Sequence, residues 1–177
     1  VLIARGRVYV TGDAAPGVLY VLNPAAAPGP VTTLSATLGN LPFSLTTDGS
    51  DIWTANQGVG AGVSIVDPDN GATINVTAQL FNVSGILFDG TNIFVTDRGD
   101  NTLKRLDPAG TVIQFIHVGA EPDIPVFDGS NIWVPNFSSN SVTVIRARDM
   151  QQLAVLTGNG LNHPFQAAFD GQRILVT

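Results

Sequence analysis

Short apolar runs alternate with polar turn residues along the whole chain, and the runs return in groups of four. One group has its apolar runs at residues 124–127, 132–134, 142–144 and 153–156. Short runs that are rich in β-branched and aromatic residues and bounded by Gly, Asn, Asp or Pro are typical of β-strands. No apolar period of 3.6 residues is long enough to indicate a helix. The pattern therefore predicts an all-β protein.

The dipeptide Asp-Gly marks an internal repeat. Its four copies are separated by 41, 39 and 42 residues, and they are Asp48-Gly49, Asp89-Gly90, Asp128-Gly129 and Asp170-Gly171. Asp-Gly between two β-rich runs predicts a hairpin turn, because glycine adopts positive φ without steric cost. With a degenerate copy near Arg5, the repeats cover approximately 5–47, 48–88, 89–127, 128–169 and, in part, 170–177.

Four short strands in about 40 residues are the sequence signature of a propeller blade. We therefore predict one domain, residues 1–177, that is a β-propeller of four-stranded antiparallel blades, with about four blades in the chain. A sheet this small must be covered by its neighbours, and Trp53, Phe94 and Trp133 are expected to pack between the sheets.

The run before each Asp-Gly is expected to be the innermost strand of its blade. The chain then begins on a second strand at residues 8–10, which leaves three strands for the first blade, and it ends on another second strand at 174–176. This arrangement predicts part of a ring of about six to eight blades, or a half-ring completed by a second copy in a homodimer. A closed four-blade ring is the alternative.

The repeat also resembles a known family. Residues 127–136, F-D-G-S-N-I-W-V-P-N, are similar to YVTN-type and NHL-type propeller repeats and to the neighbouring streptogramin-lyase branch. Those repeats close their second strand with Asn or Asp, and Asn56, Asp97 and Asn136 match that position. The resemblance implies a propeller displayed outside the cytoplasm: extracellular, periplasmic or on the cell surface.

Charge and cysteine content exclude several classes of function. The formal net charge is −6, which argues against nucleic-acid binding because that function needs a basic surface. The chain has no cysteine, so disulfides, thiol catalysis and thiolate metal sites are absent. Its two histidines are too few for a three-histidine zinc site.

No membrane span is expected. The stretch at residues 14–47 carries no charge, but five prolines would break a spanning helix there: Pro16, Pro24, Pro28, Pro30 and Pro42.

By analogy with other propellers, a ligand would bind at the central mouth. The loops before the inner strands and the loops between second and third strands surround that mouth. Candidate ligand-binding residues lie seven or five positions before the Asp of an Asp-Gly turn or at the end of a second strand. They are Glu121, Asp123, His163, Asn56, Asp97, Asn136 and Asn82.

These residues allow more than one interpretation. Their oxygens could bind Ca²⁺ or Mg²⁺, and a carboxylate with an imidazole could perform acid–base chemistry. Alternatively, Asn56, Asp97 and Asn136 recur at the same position because each blade needs a side chain that caps its turn. Only Glu121, Asp123 and His163 break the repeat, and a position that differs between blades indicates function rather than fold. No residue is assigned a catalytic role.

Two functions follow from these observations. The first is a non-catalytic extracytoplasmic binding or scaffold module, for a protein or small-molecule ligand and without a cofactor. The alternative is a metal-dependent lyase or lactonase-like enzyme with its site at the central mouth, as similarity to streptogramin lyases implies. The sparse ionisable residues favour the first function without excluding an enzyme.

Overall fold

The computed structural model describes residues 1–26, 29 and 31–177, so Pro28 and Pro30 lie outside the described residues. Over these residues the protein is all-β, with four antiparallel four-stranded sheets and one two-stranded sheet. The predicted fold class, four-stranded blades of a β-propeller, is confirmed. In this part of the chain there is no helix with the length and apolar character that a bilayer crossing requires.

Each sheet is one blade whose strands follow one another in chain order. Blade 1 contains β1 (Leu2–Ala4), β2 (Arg7–Gly12), β3 (Gly17–Leu22) and β4 (Thr32–Leu38). Blade 2 contains β5 (Pro42–Thr47), β6 (Ile52–Asn56), β7 (Gly62–Val66) and β8 (Thr73–Val76). Blade 3 contains β9 (Val83–Phe88), β10 (Ile93–Asp97), β11 (Thr102–Leu106) and β12 (Val112–His117).

The remaining strands form a complete fourth blade and two strands of a fifth. Blade 4 contains β13 (Val126–Phe127), β14 (Asn131–Asn136), β15 (Ser141–Arg146) and β16 (Gln151–Thr157). Blade 5 contains β17 (Ala167–Phe169) and β18 (Ile174–Val176). A parallel bridge between Ile124 and Gln166 shows that the inner segments of blades 4 and 5 run side by side in the same direction.

The first blade differs from the sequence prediction. Leu2–Ala4 forms an inner strand that pairs with β2, with Leu2 opposite Tyr9, so this blade has four strands rather than three. The run is only three residues long and its turn is Arg5-Gly6 instead of Asp-Gly, and these two differences hid it from the repeat pattern.

The Asp-Gly turns have the conformation that the sequence predicts. Gly129 has a φ of 98°. The Asp128 carboxylate accepts hydrogen bonds from the backbone N–H groups of Ser130 and Asn131 at 2.8 and 2.7 Å, and from the Trp133 Nε1–H at 2.7 Å. The side chain therefore satisfies donors that the hairpin leaves free.

The blades have two distinct ends. The loop before each inner strand is hydrogen-bonded to the loop between the second and third strands of the same blade, through Gln57 N–H to Leu41 O, Arg98 N–H to Asn82 O, and Phe137 N–H to Glu121 O. We call this end the mouth face. Because the strands are antiparallel, the Asp-Gly turns and the turns between third and fourth strands lie at the opposite end, the turn face.

The hydrophobic core lies between neighbouring blades. Trp53 and Val95 belong to a cluster that joins blades 2 and 3, whereas Phe94 and Ile132 belong to one that joins blades 3 and 4. Consecutive residues of one strand point to opposite faces, so Phe94 and Val95 are buried against different blades. Trp53 and Phe94 are fully buried, as predicted, whereas Trp133 is only half-buried.

Candidate functional site

The side chain of Asp97, at the end of β10, is directed into its own blade. Its carboxylate accepts hydrogen bonds from the N–H groups of Phe81, Asn82 and Gly99, each at 2.9 Å. The Lys104 ammonium lies 2.7 Å from Asp97 Oδ2 and is itself only 2% exposed. This fully paired carboxylate holds together the loops of blade 3, as the capping interpretation predicts.

Asn56 and Asn136 occupy the same position in blades 2 and 4 and are also buried. Asn56 Nδ2 donates to Ser64 Oγ at 2.9 Å. Asn136 Nδ2 donates to Thr143 Oγ1 at 2.9 Å and to Ser141 Oγ at 3.1 Å. These amides bond to the third strands of their own blades.

The loops before the inner strands of blades 2, 4 and 5 each hold one residue in an unusual backbone conformation, and two of the three are candidates. Leu41, Glu121 and His163 have φ values of 52°, 52° and 50°, a region that side-chain-bearing residues seldom adopt. Asn101 Oδ1 accepts the N–H of Glu121 at 2.9 Å, and Asn140 Oδ1 accepts the N–H of His163 at 2.8 Å. Each asparagine belongs to the preceding blade, so neighbouring blades fix the strained residues that present the two candidate side chains.

Asp123 is the one candidate whose buried charge is incompletely paired. Its side chain is 0% exposed, and Arg98 Nη2 of blade 3 donates to its Oδ2 atom. Its Oδ1 atom has no hydrogen-bond partner among the described residues, nor does the buried Nε of Arg98. Burial raises the pKa of Asp123 above 3.8, Arg98 opposes that rise, and the nearby Glu121 adds to it.

Aromatic and polar side chains from blades 3, 4 and 5 meet beside this pair. The Arg98 guanidinium lies 5.7 Å from the centre of the Phe137 ring, which lies 4.7 Å from the His163 ring. Ser138 Oγ donates to Glu121 Oε2 at 2.7 Å. The structure thus brings Glu121, His163 and the Arg98–Asp123 pair into one region of the mouth face.

Two phenylalanine rings add an apolar surface to the mouth face. Phe43 of blade 2 and Phe165, at the start of blade 5, form an edge-to-face pair with ring centres 5.9 Å apart. Both rings are more than a third exposed, and both occupy the repeat position that holds Asp123 in blade 4. A cleft of about 290 Å³ beside Phe43 is also lined by Thr11 and Asp13 of blade 1.

Sequence reasoning did not select Arg98 or Phe137 for this site. Comparing the same position in successive blades would have selected both residues. The position after the second-strand Asn or Asp is Gln57, Arg98 and Phe137 in blades 2, 3 and 4, so it differs in every blade in the same way as the Asp123 position. The seventh candidate, Asn82, contributes its backbone N–H to Asp97 and its carbonyl to Arg98.

The residues of the mouth do not fit a divalent cation. Within the described ranges, no three His, Cys, Asp or Glu side chains lie close enough together to hold a metal ion. The Asp123 carboxylate is already paired with a guanidinium, whose charge opposes that of an added cation. The metal that the family resemblance implies therefore has no ligand set in this part of the chain.

Comparison with known proteins supports the fold. No family model and no curated protein matches the chain. Among solved structures, it is similar to a "putative 6-phosphogluconolactonase" from Bacteroides uniformis ATCC 8492, at 18% identity and a TM-score of 0.72, with 94% of this chain and 58% of that chain covered. A functionally unknown protein from Desulfotomaculum acetoxidans DSM 771 matches at 19% identity and a TM-score of 0.76, with coverage of 97% and 59%.

A designed protein matches equally well. The computationally designed Ika8 protein has 12% identity and a TM-score of 0.76, and the match covers 99% of this chain and 53% of that chain. The chain thus spans between half and three fifths of each of these three structures. At such identities the similarity establishes the propeller-type fold, and membership in the YVTN or NHL family stays a prediction.

Proposed function

We propose that this chain is the ligand-binding arc of a β-propeller that works as a non-catalytic binding module outside the cytoplasm. The observation that carries the proposal is the Arg98–Asp123 pair, in which the buried Asp123 carboxylate keeps one oxygen unpaired among the described residues and the partly exposed Arg98 keeps its buried Nε–H unpaired. An unpaired buried polar group costs free energy, and a ligand that pairs with it gains affinity. The extracytoplasmic location is supported by the repeat resemblance.

The surroundings of the pair define the ligand chemistry. The partly exposed Arg98 guanidinium, paired with the buried Asp123 carboxylate, offers a donor, and the exposed rings of Phe43 and Phe165 offer an apolar surface. Ligand sites commonly combine apolar walls with a few convergent polar groups. A small ring compound that carries hydroxyl or amide groups fits this arrangement, and a second copy of the chain is the partner we propose for completing the ring.

A lactonase-like hydrolase is the second candidate, and it is favoured by the raised pKa of Asp123. Two of the structurally similar proteins carry the name of a 6-phosphogluconolactonase. In this reaction water would add to the lactone carbonyl and lose a proton to the Asp123 carboxylate, and the ring C–O bond would break as that proton passes to the departing ring oxygen. The reaction as written needs no metal, in accord with the described side chains.

One experiment tests both candidates. Amide NMR spectra of the ¹⁵N-labelled chain would be recorded with a panel of sugars, sugar acids and lactones that includes 6-phosphogluconolactone, while lactone opening is followed in the same tube. A binding module predicts shifts at Arg98, Phe137 and His163 without faster opening. Asp123→Asn should abolish the shifts, and Asp69→Asn, on the exposed turn face, should keep them.

The other possible results also distinguish the binding module from the hydrolase. Lactone opening that is accelerated by the wild-type chain and lost in Asp123→Asn would establish the hydrolase instead. Shifts that survive Asp123→Asn would remove the Arg98–Asp123 pair from ligand recognition and contradict the proposal. Unchanged amide spectra of blades 1 and 2 would show that the Asp123→Asn variant is folded.

A further inference from the structure

A second cleft opens on the turn face, at the end of the blades opposite the mouth. Its volume is about 580 Å³, within the range of small-molecule sites. It lies where the Asp-Gly turns of blades 3 and 4 meet the turn between the third and fourth strands of blade 4. Its lining includes the side chains of Asp89, Asn92, Phe127, Ser130, Arg146 and Arg148.

The blade 4 turn at this cleft breaks the repeat. The corresponding turns of blades 2 and 3 begin with Asp67-Pro68 and Asp107-Pro108, whereas blade 4 has Arg146-Ala147-Arg148. The equivalent cleft between blades 2 and 3, which is lined by Asp107 and Pro108, measures only about 130 Å³. The chain has just eight Lys and Arg residues, so an Arg-Ala-Arg turn in place of Asp-Pro and its following residue is a specific departure from the repeat.

Asp89, on the other side of the cleft, also departs from the repeat. In blades 2 and 4 a tryptophan Nε1–H donates to the second carboxylate oxygen of the turn aspartate, as Trp133 does to Asp128. Blade 3 has Phe94 in the tryptophan position. Within the described ranges, Asp89 Oδ2 therefore keeps only one long hydrogen bond, from Asn92 Nδ2 at 3.4 Å.

Arg105 connects the two altered turns. It lies opposite Phe94 in the sheet, with its guanidinium 5.2 Å from the centre of that ring. Its Nη2 donates to the carbonyl oxygen of Ala147, between the two arginines of the cleft. Because blade 3 has Phe94 in place of a tryptophan, Asp89 lacks an indole donor. Arg105, which lies over Phe94, holds the Ala147 turn of blade 4 beside Asp89.

The charges of the cleft are balanced but separated. Arg146 is paired with Asp149 at 3.0 Å, whereas Arg148 is 76% exposed and lies 3.8 Å from the same carboxylate. Arg148 is therefore the guanidinium open to a ligand, and Asp89 is the open carboxylate. A simple anion gains little from a site with no net charge, but separated opposite charges complement a molecule that carries both.

We propose that this turn-face cleft binds a small zwitterion of the amino-acid type. The ligand carboxylate pairs with Arg148, and the ligand ammonium pairs with the free oxygen of Asp89. The Asn92 amide and the Ser130 hydroxyl supply further hydrogen bonds, and Phe127 forms the apolar wall. This site is separate from the mouth and does not depend on the function proposed for it.

The test uses γ-aminobutyrate as the probe, with butyrate and butylammonium as its two halves. Each is titrated into the ¹⁵N-labelled chain at constant ionic strength, and the amide shifts of Thr91, Ser130 and Arg148 are followed. We expect γ-aminobutyrate to bind about fivefold more tightly than either half, because it forms two exposed ion pairs rather than one. Asp89→Asn and Arg148→Gln should each abolish this preference.

Matched controls separate the site from general charge effects. Arg173→Gln removes a similarly exposed arginine from the blade 5 turn and should leave the affinity unchanged. Asp69→Asn, on the exposed turn of blade 2, should also have no effect. Equal affinities for γ-aminobutyrate and butyrate would overturn the proposal, as would unchanged amide positions at Thr91, Ser130 and Arg148 in all three titrations.

Discussion

The buried charged residues of this protein differ in how completely they are paired. Asp97 has three backbone N–H donors and the Lys104 ammonium, so every charge in that group has a partner. Asp123 has only Arg98 at its side chain. For these two carboxylates, full pairing indicates a structural role for Asp97, and partial pairing is consistent with a functional role for Asp123, because an unpaired buried charge costs free energy.

Lys104→Met tests the structural role of the paired Asp97 carboxylate. The substitution keeps the volume but leaves the Asp97 carboxylate buried without its cation, so we expect the free energy of unfolding to fall by about 3–5 kcal/mol in urea titrations. The exposed Arg5–Asp69 pair is the control, and Arg5→Met should cost less than about 1 kcal/mol. Equal losses for the two variants would contradict the structural role of Asp97.

Sequence alone selected three residues that the structure places close together at the mouth face. Glu121, Asp123 and His163 could be selected because they break the repeat, and the structure places them in one region of the mouth face. Arg98 and Phe137 were missed because their contacts cross between blades, and the repeat pattern contains no distances. The burial of Asn56, Asp97 and Asn136 could not be predicted from the sequence, because turn capping and ligand binding use the same residue types.

At the scale of elements, the turns are the best-specified parts of the chain. Each Asp-Gly turn is fixed by local chemistry: a glycine at positive φ and an aspartate whose carboxylate accepts the N–H groups two and three residues later. The sequence predicts such turns well for this reason. The short strand β1 was missed because neither an Asp-Gly turn nor a long apolar run marks it.

Asp128→Asn tests the capping of these turns. Burial works to raise the pKa of Asp128, but hydrogen bonds from Trp133, Asn131 and Ser130 together lower it below 3.8. A lowered folded pKa stabilises the fold above the unfolded pKa, and this contribution disappears as the pH falls through the folded value.

The variant should therefore lose about 1–2 kcal/mol of unfolding free energy at pH 7 and approach the wild type as the pH falls below the folded pKa of Asp128. Urea titrations between neutral and strongly acidic pH measure this difference. Asp69→Asn, at an exposed position, serves as the control and should show little change at any pH. A difference from the wild type that is independent of pH would contradict the assignment.

At the scale of the whole molecule, the mouth exists only because blades assemble side by side. Arg98 comes from blade 3, Asp123 precedes the inner strand of blade 4, and Phe43 of blade 2 meets Phe165 of blade 5. The blade cores lie between sheets, so the position of each mouth residue depends on the packing of neighbouring blades. A site of this kind follows from the fold as a whole and not from any one repeat.

The most direct test of the account is the pKa of the Asp123 carboxyl group, measured by ¹³C NMR titration of the intact chain. The account predicts a midpoint above 3.8, because burial at the mouth outweighs the attraction of Arg98. Asp128 and Asp170 should titrate below 3.8 in the same spectra. A midpoint for Asp123 below 3.8 would mean that its charge is fully compensated in the fold, and the ligand-binding role of the Arg98–Asp123 pair would be contradicted.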